Sequence, residues 1–449
     1  MGNIIISRIF FSFLLILAFY LHSEDQSDAD SFFRREAPVY PSSDHLIGWI
    51  DSRQIQSLNG EWSYIVDPMN NGLPESSFFG GFPKNKIQKT GMELIEYNFE
   101  TASKIQIPGA WNAIDERLFF YRGPVWLYKK FNYSPKKEAL THLYIEGSNF
   151  TTKIFLNGSI VGEFEGGYVP FNFNISKYLK EGENILLVQT DNTLNESSVP
   201  TQKTDWWPWG GIVGDVYVVE TPKQFIQNAY LQLNPDDFSE VLFKLEMNKE
   251  SSGHMIKLEI PELQFKAEYK TNSLGAISEN IKINPQLWSP LSPKLYEVKI
   301  SSEAETISDK IGFRSIQTKG QKIYLNNSEI QFKGIAMHSE PIGIPGPAFS
   351  KEHFQKLLLT AKDLNINFIR AAHYPYTRHL AKVADQLGLM LWEEVPVYWN
   401  IDWDNSNTLN IAKNQITRLV QRDQNRASVV VWSVANETPL SSSRMKFLK

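Results

Sequence analysis

The sequence predicts a multidomain chain: an all-β sandwich or jelly roll, then a smaller immunoglobulin-like β-sandwich, then alternating strands and helices that build a parallel barrel or an open sheet. Three observations carry this. Short alternating runs punctuated by Gly, Asn and Pro fill the first half, and a plainer set of strands follows. After Lys319-Gly320, strand-like runs begin to alternate with runs of helical spacing. At 449 residues the chain is also too long for one ordinary core.

Met1 to Arg8 is a weakly basic start, and Ile9 to Leu21 is an apolar run too short to span a membrane comfortably. This is the form of a secretory signal over residues 1–23, although Leu21 fits the small-residue rule for cleavage near Ser23 poorly, and an uncleaved anchor is the alternative. Residues 24–43 are polar and contain Pro, so they read as a flexible lead-in. The net charge of −5 is spread without blocks of one sign, which argues against nucleic acid or an anionic membrane as a partner. The chain has no Cys, and that removes disulfides, thiolate metal sites, Cys nucleophiles and a lipid-attachment Cys together. Aromatic residues make up 13% of the chain, which suits stacking on sugar faces and equally suits large β-rich cores.

Residues 44–221 form the first β domain. Its clearest unit is Phe150 to Leu156, then Asn157-Gly158, then Ser159 to Phe164. Asn-Gly between two such runs marks a type I′ hairpin, because both central residues need positive φ. Residues 222–317 are the second sandwich, with strands such as Ser239–Glu246 and Lys294–Ile300 and no catalytic constellation; it reads as a spacer.

Residues 318–449 change grammar. Ile330–Met337 reads as a strand, and Ser350 then caps a helix that places Phe354, Leu357, Leu358, Ala361 and Leu364 on one face. Strand Asn367–Ala372, helix Tyr376–Leu387 and strand Leu389–Val395 follow. A longer helix with Leu409, Ala412, Ile416, Leu419 and Val420 in register leads to the uncharged run Val429 to Val434, which reads as a strand buried on both faces and ends in Asn436-Glu437. Four such repeats give four parallel strands. Only twelve residues follow Glu437, so half of an eight-stranded barrel is expected, with an open apolar edge that favours aggregation, dimerisation or a complementing piece.

At the C-terminal ends of these strands stand His338, His373, Glu394 and Glu437 with Asn436. In a parallel barrel that end carries the active site. Polar groups converging over such a mouth describe a pocket for a hydroxylated ligand, against the plainer reading of a Glu that merely leaves the core for solvent. Trp432 and the Val run are expected to desolvate the Glu437 carboxylate, raising its pKa and suiting it to proton donation. Arg370 must find an anion, either Glu393, Glu394 or a carboxylate on a strand outside this chain. Two His and two Glu raise the question of a metal, but their spacings match no compact ligand motif, so no metal and no cofactor is expected.

Several stretches together are very specific: Leu58-Asn-Gly-Glu-Trp62, Ile107-Pro-Gly-Ala-Trp111, Gly123-Pro-Val-Trp126, Phe155-Leu-Asn-Gly158, Gly166-Gly-Tyr168, Asp205-Trp-Trp-Pro-Trp-Gly-Gly-Ile212, Gly312-Phe-Arg314, Arg370-Ala-Ala-His-Tyr-Pro375 and Asn436-Glu437. With them the chain resembles glycoside hydrolase family 2, the β-galactosidase, β-glucuronidase and β-mannosidase group, from about Leu58 almost to its end. The resemblance implies a β jelly-roll sandwich, an immunoglobulin-like β-sandwich and the first half of a (β/α)8 TIM barrel. It implies Glu437 as general acid/base, Asn436 as the amide for the sugar 2-hydroxyl, and His338 and His373 as contacts to the sugar ring. Asp205 would be the jelly-roll residue that reaches the mouth, and Arg370, with Glu394 in support, the arginine that orients the nucleophile.

The nucleophile itself, a Glu on the seventh strand, has no counterpart. A retaining mechanism needs two carboxyl groups about 5 to 5.5 Å apart, so the polypeptide by itself is expected not to turn over a β-glycoside. The chain also departs from the family at Arg426-Ala427-Ser428, where His-Pro-Ser is frequent, and at Gly214, where an Arg is common. No His lies near Trp399 to Trp403, where some β-galactosidases hold magnesium, and no magnesium site is expected there. The sequons at Asn149, Asn195 and Asn436 are set aside, since a glycan on Asn436 would block the pocket; an exported, periplasmic or secreted bacterial protein is expected. The two readings are the N-terminal part of a retaining exo-β-glycosidase, truncated or frameshifted in its barrel, and a non-catalytic carbohydrate-binding protein. The partner in either case is a β-linked oligosaccharide or glycoside, with galactose first and glucuronate second, and a homo-oligomer is compatible with the sequence.

Overall fold

The computed structural model describes residues 38–76, 81–84, 98–249 and 253–448. The expected signal segment and most of the expected lead-in lie outside the described residues. Residues 70–76 and 81–84 form turns of their own, in which the Phe82 amide donates to the Gly72 carbonyl at 2.8 Å.

The first β domain is two antiparallel sheets over one core. One sheet has six strands, in the spatial order Lys104–Ile107, Gly60–Val66, Pro124–Tyr133, Gly182–Asp191, Thr151–Leu156 and Ser159–Glu165. The other has Gln54–Ser57, Val216–Pro222, Ala139–Ile145 and Phe171–Asn174. Alternation along each strand sends one face inward: Trp62, Val125, Leu127, Leu143, Ile154, Phe171 and Val188 are buried in a common cluster. The hairpin expected at Asn157-Gly158 is present, with φ of 52° and 81° at the two turn residues.

The second sandwich pairs Ile226–Leu233, Glu240–Met247 and Ala276–Lys282 in one sheet and Phe265–Lys270, Met255–Ile260, Tyr296–Ser301 and Thr306–Ile311 in the other. Phe243, Val298, Ile300 and Phe313 lie between them. One strand expectation fails just beyond. Ile330–Met337 is not continuous: Ser328–Ile330 closes a three-stranded meander with Ile316–Lys319 and Lys322–Leu325, and the barrel strand starts only at Gly334. Asn326 and Asn327, at φ of 52° and 64°, make the tight turn of this meander. The chain then breaks because the Lys333 amide donates to the Asn367 side chain at 2.8 Å and the Phe332 ring stacks on Phe368 at 4.1 Å.

Four parallel strands follow in chain order: Gly334–Met337, Phe368–Ala371, Met390–Glu394 and Val429–Ser433. Helices Lys351–Asp363, His379–Leu387 and Ser406–Asp423 connect them. Ser350 Oγ accepts from the His353 amide at the start of the first helix, and Asn405 caps the third by accepting from the Asn407 and Thr408 amides. Phe354, Leu358 and Ala361 are buried as expected, while Leu364 is 66% exposed. The second helix begins at His379 rather than Tyr376, and Gly388 ends it at φ 71°, where a Cβ would meet the Pro290 carbonyl at 2.4 Å. The fourth strand is not buried on both faces. Val429 and Ser433 are buried and the three residues between are intermediate, because this strand pairs only with the third and stands at the sheet edge.

The β-sandwich and the barrel segment share side chains. Ile411, Ala412 and Leu419 of the third helix sit in the jelly-roll core. Arg378, 6% exposed, meets Glu146 at 2.5 Å, Asp51 at 3.0 Å and Asp215 at 3.0 Å, and donates to the Tyr217 hydroxyl at 3.1 Å. Burial works against the charge on Arg378, but these carboxylates outweigh it and hold the guanidinium firmly protonated.

Candidate active site

The second, third and fourth barrel strands end side by side and deliver polar groups to one rim. Strand alternation decides which carboxylate answers Arg370. Glu394 faces the mouth and accepts from Arg370 Nη2 at 3.0 and 3.1 Å and from Arg370 Nε at 3.2 Å. Glu394 Oε1 also lies 2.6 Å from His373 Nδ1, and its side chain is 1% exposed. Arg370 reaches further and donates to Asn436 Oδ1 at 2.5 Å, with its guanidinium 5.0 Å from the Trp392 ring centroid. Glu393 points the other way, and burial followed by the nearby Asp423 charge pushes its carboxyl well above the usual range. Its Oε2 has no partner.

Arg370, His373, Glu394 and Asn436 are therefore one hydrogen-bonded group, and of the partners left open for Arg370 it is Glu394 that it meets. Two atoms next to the mouth are left over. Asn436 Nδ2 and His338 Nδ1 are buried donors or acceptors without a protein partner, and such groups cost free energy unless something answers them. The His338 ring centroid is 5.6 Å from that of His373, and burial, then the neighbouring His373, keeps its pKa below the ordinary histidine value.

Glu437 differs from expectation. No apolar frame desolvates it: the side chain is exposed, beyond the last buried residue of the strand, and its φ of 51° turns it out of the sheet line. What fixes it is Trp399, whose indole Nε1 donates to Glu437 Oε2 at 2.8 Å. The two loop ends are tied by a parallel bridge between Tyr398 and Asn436, with the Asn436 amide donating to the Val397 carbonyl at 2.8 Å and the Trp399 amide to the Asn436 carbonyl at 3.2 Å.

Asp205 reaches the same rim from the jelly roll. The loop before it is fastened to the third helix, where Thr408 Oγ1 donates to the Ser197 carbonyl at 2.7 Å and Gln415 Nε2 to the Val199 carbonyl at 2.8 Å. Burial, then a hydrogen bond to Asp205 and the charges of Asp205 and Glu437, push the Tyr398 phenol up, so Tyr398 stands between the two carboxylates. Trp206 lies against His373, Tyr374 and Tyr398, with ring centroids 5.8, 5.5 and 5.1 Å away. Trp206, Tyr398 and Trp399 were missed by the sequence reading. The signals were the aromatic run that follows Asp205 and the Tyr-Trp pair after the third strand. Among the described residues, no three His, Asp or Glu side chains gather in a metal-holding arrangement.

Three family descriptions match the chain: glycosyl hydrolases family 2, sugar binding domain, over residues 55–222, glycosyl hydrolases family 2 over 224–314, and glycosyl hydrolases family 2, TIM barrel domain, over 316–448. The chain belongs to glycoside hydrolase family 2. A β-galactosidase of Thermoanaerobacterium thermosulfurigenes is 26% identical over 408 residues, covering 85% of this chain and 54% of its own. The chain spans about half the length of the curated relatives it matches. Among solved structures, a β-glucuronidase of an uncultured Clostridium species aligns with a TM-score of 0.74 at 25% identity, over 89% of this chain and 70% of that one. A β-glucuronidase of Bifidobacterium dentium aligns with a TM-score of 0.76 at 18% identity, over 92% and 72%, a likeness of fold.

Proposed function

We propose that this chain carries the acid/base half of a retaining exo-β-glycosidase site. The observation that carries the reading is the Arg370–Glu394–His373–Asn436 group beside Glu437, with Asn436 Nδ2 and His338 Nδ1 left for a ligand. In this reading Asn436 Nδ2 donates to the sugar 2-hydroxyl, and His338 and His373 line the ring. Glu437 protonates the departing glycosidic oxygen and later takes a proton from the attacking water. Asp205 takes further hydroxyls. Glu394 is committed to Arg370 and His373, so it positions and does not attack.

The nucleophile in this scheme is a carboxylate on the seventh barrel strand, and the four strands described here do not include it. The 449-residue polypeptide alone is accordingly expected not to hydrolyse an aryl β-galactoside. Turnover abolished by Glu437→Gln would keep the acid and overturn the expected inactivity of this chain alone. The apolar run at Ile9–Leu21 supports export.

Galactose is the first choice of sugar and glucuronate the second; the relatives carry both names. The test is calorimetric titration with single-ring iminosugars, whose ring nitrogen bears charge where the transition state does. A galactose-configured ligand is expected to bind, and His373→Ala or Glu437→Gln to weaken it about tenfold or more. Tighter binding of the uronate-configured ligand would move the sugar to glucuronate, and affinity untouched by both substitutions would sink the site.

A further inference from the structure

Outside the mouth, the jelly roll holds aromatic side chains in water where a protein normally hides them. Phe120 is 82% exposed and Phe119 41% exposed. Their rings meet edge to face at 4.9 Å, and both rest on Trp207, at 4.5 Å from Phe119 and 5.7 Å from Phe120. A flexible loop would fold such rings inward, since exposed apolar area is unfavourable. This loop is prevented from doing so. The buried Asn112 amide donates to the carbonyls of Leu118, Phe119 and Tyr121 at 2.8, 3.2 and 3.0 Å, while its Oδ1 accepts from the Gly210 amide at 2.8 Å. Asn192 makes a second clip, accepting from the Gly123 amide at 3.0 Å and donating to the Pro208 carbonyl at 2.9 Å. One side chain after another fastens the Phe119–Phe120 loop to the loop that carries Trp207.

The platform runs into the candidate site. Trp207 follows Trp206, which walls His373, and Trp209 Nε1 donates to Glu340 Oε1 at 3.2 Å, two residues beyond His338. Trp207 Nε1 is itself a buried donor with no partner. A rigid cluster of aromatic rings set at angles to one another, linked to the candidate site through Trp206 and Trp209, offers faces that match the apolar C–H face of a pyranose ring, which presents hydroxyls only at its edge.

We propose that Phe119, Phe120 and Trp207 form a second carbohydrate-binding surface, which holds the sugar units beyond the terminal residue of a β-linked oligosaccharide. The assignment to that side of the substrate rests on the function proposed above. The platform makes the chain selective for glycans of several rings over single-ring glycosides, and it does so without touching the reacting atoms.

The test uses the 449-residue chain, because binding needs no turnover. Calorimetry is run with a β-linked galactotetraose and with methyl β-galactoside, on wild type, Phe120→Ala and Phe119→Ala/Phe120→Ala, with light scattering on each. The tetrasaccharide is expected to bind more tightly than the single ring and to lose about fivefold or more in affinity in the double variant, while methyl β-galactoside is unaffected. Tetrasaccharide affinity equal in wild type and double variant, or no tetrasaccharide binding at all, overturns the platform. Self-association of wild type that the double variant abolishes, with sugar binding unchanged, overturns it in favour of a protein contact. Platform-dependent tetrasaccharide binding that survives His373→Ala, with no His373-dependent single-ring binding, supports the platform and counts against the catalytic reading. The reverse pattern removes the platform alone.

Discussion

Two carboxylates end neighbouring barrel strands and have opposite surroundings. Glu394 closes the third strand, is 1% exposed, and spends its oxygens on Arg370 and His373. Glu437 stands past the fourth strand, is exposed, and takes one described donor, the Trp399 indole. A buried carboxylate whose oxygens are engaged by Arg370 and His373 is fixed in place and shut off from water. One held by a single described contact at the rim stays open to water. The pair shows how one barrel end gives two carboxylates opposite burial and opposite partners, the difference on which the proposed acid/base role of Glu437 rests.

The contrast can be broken most severely at Glu394. Glu394→Gln leaves Arg370 beside a neutral amide in a nearly buried site, and unfolding free energy measured in urea should fall by about 3 kcal/mol. Glu393, its sequence neighbour on the opposite face, gives a pH test. Its folded pKa is raised by burial, so its contribution is present while the group is protonated and is lost as pH rises through that raised value. Wild type should therefore lose stability toward alkaline pH relative to Glu393→Gln, and parallel pH–stability curves for the two would refute this. Trp399→Phe removes the donor to Glu437 and keeps the stacking on Tyr398; stability should drop by about 1 kcal/mol or less, with a several-fold loss of iminosugar affinity. The smallest structural effect belongs to Glu437→Gln, whose Tm should stay within about 2 °C of wild type because an exposed side chain is replaced by an isostere. A drop as large as that of Glu394→Gln would erase the distinction.

Much of this was legible in the residues. Asn157-Gly158 announced its hairpin because two positive φ values in succession admit few residue types, and Ser350 announced its helix by a local hydrogen bond. The strand ends with His373, Glu394 and Asn436 were readable from alternation and the change of period. What escaped depends on contacts distant in sequence. Arg370 faced two adjacent acids, and only the pleat, fixed by pairing Arg370 with Trp392, turns Glu394 toward it and Glu393 toward Asp423. Glu437 was expected inside an apolar frame because the run before it is apolar, but its own left-handed backbone carries it out of that frame. Its contact with Trp399 follows from the Tyr398–Asn436 bridge between two loops, which local sequence does not encode. The turn at Asn326-Asn327 was a local signal, and it was overlooked because Ile330–Met337 reads as one uninterrupted run.

The buried guanidinium of Arg378 bears on where this polypeptide can be divided. It sits at the start of a barrel helix, while its counter-ions Glu146, Asp51 and Asp215 belong to the β-sandwich. A cut near residue 318, where the grammar of the sequence changes, would strand that cation in one piece and its anions in the other. The visible seam in the text of the chain is thus not a seam in its cooperativity, and the two ends should melt in a single transition.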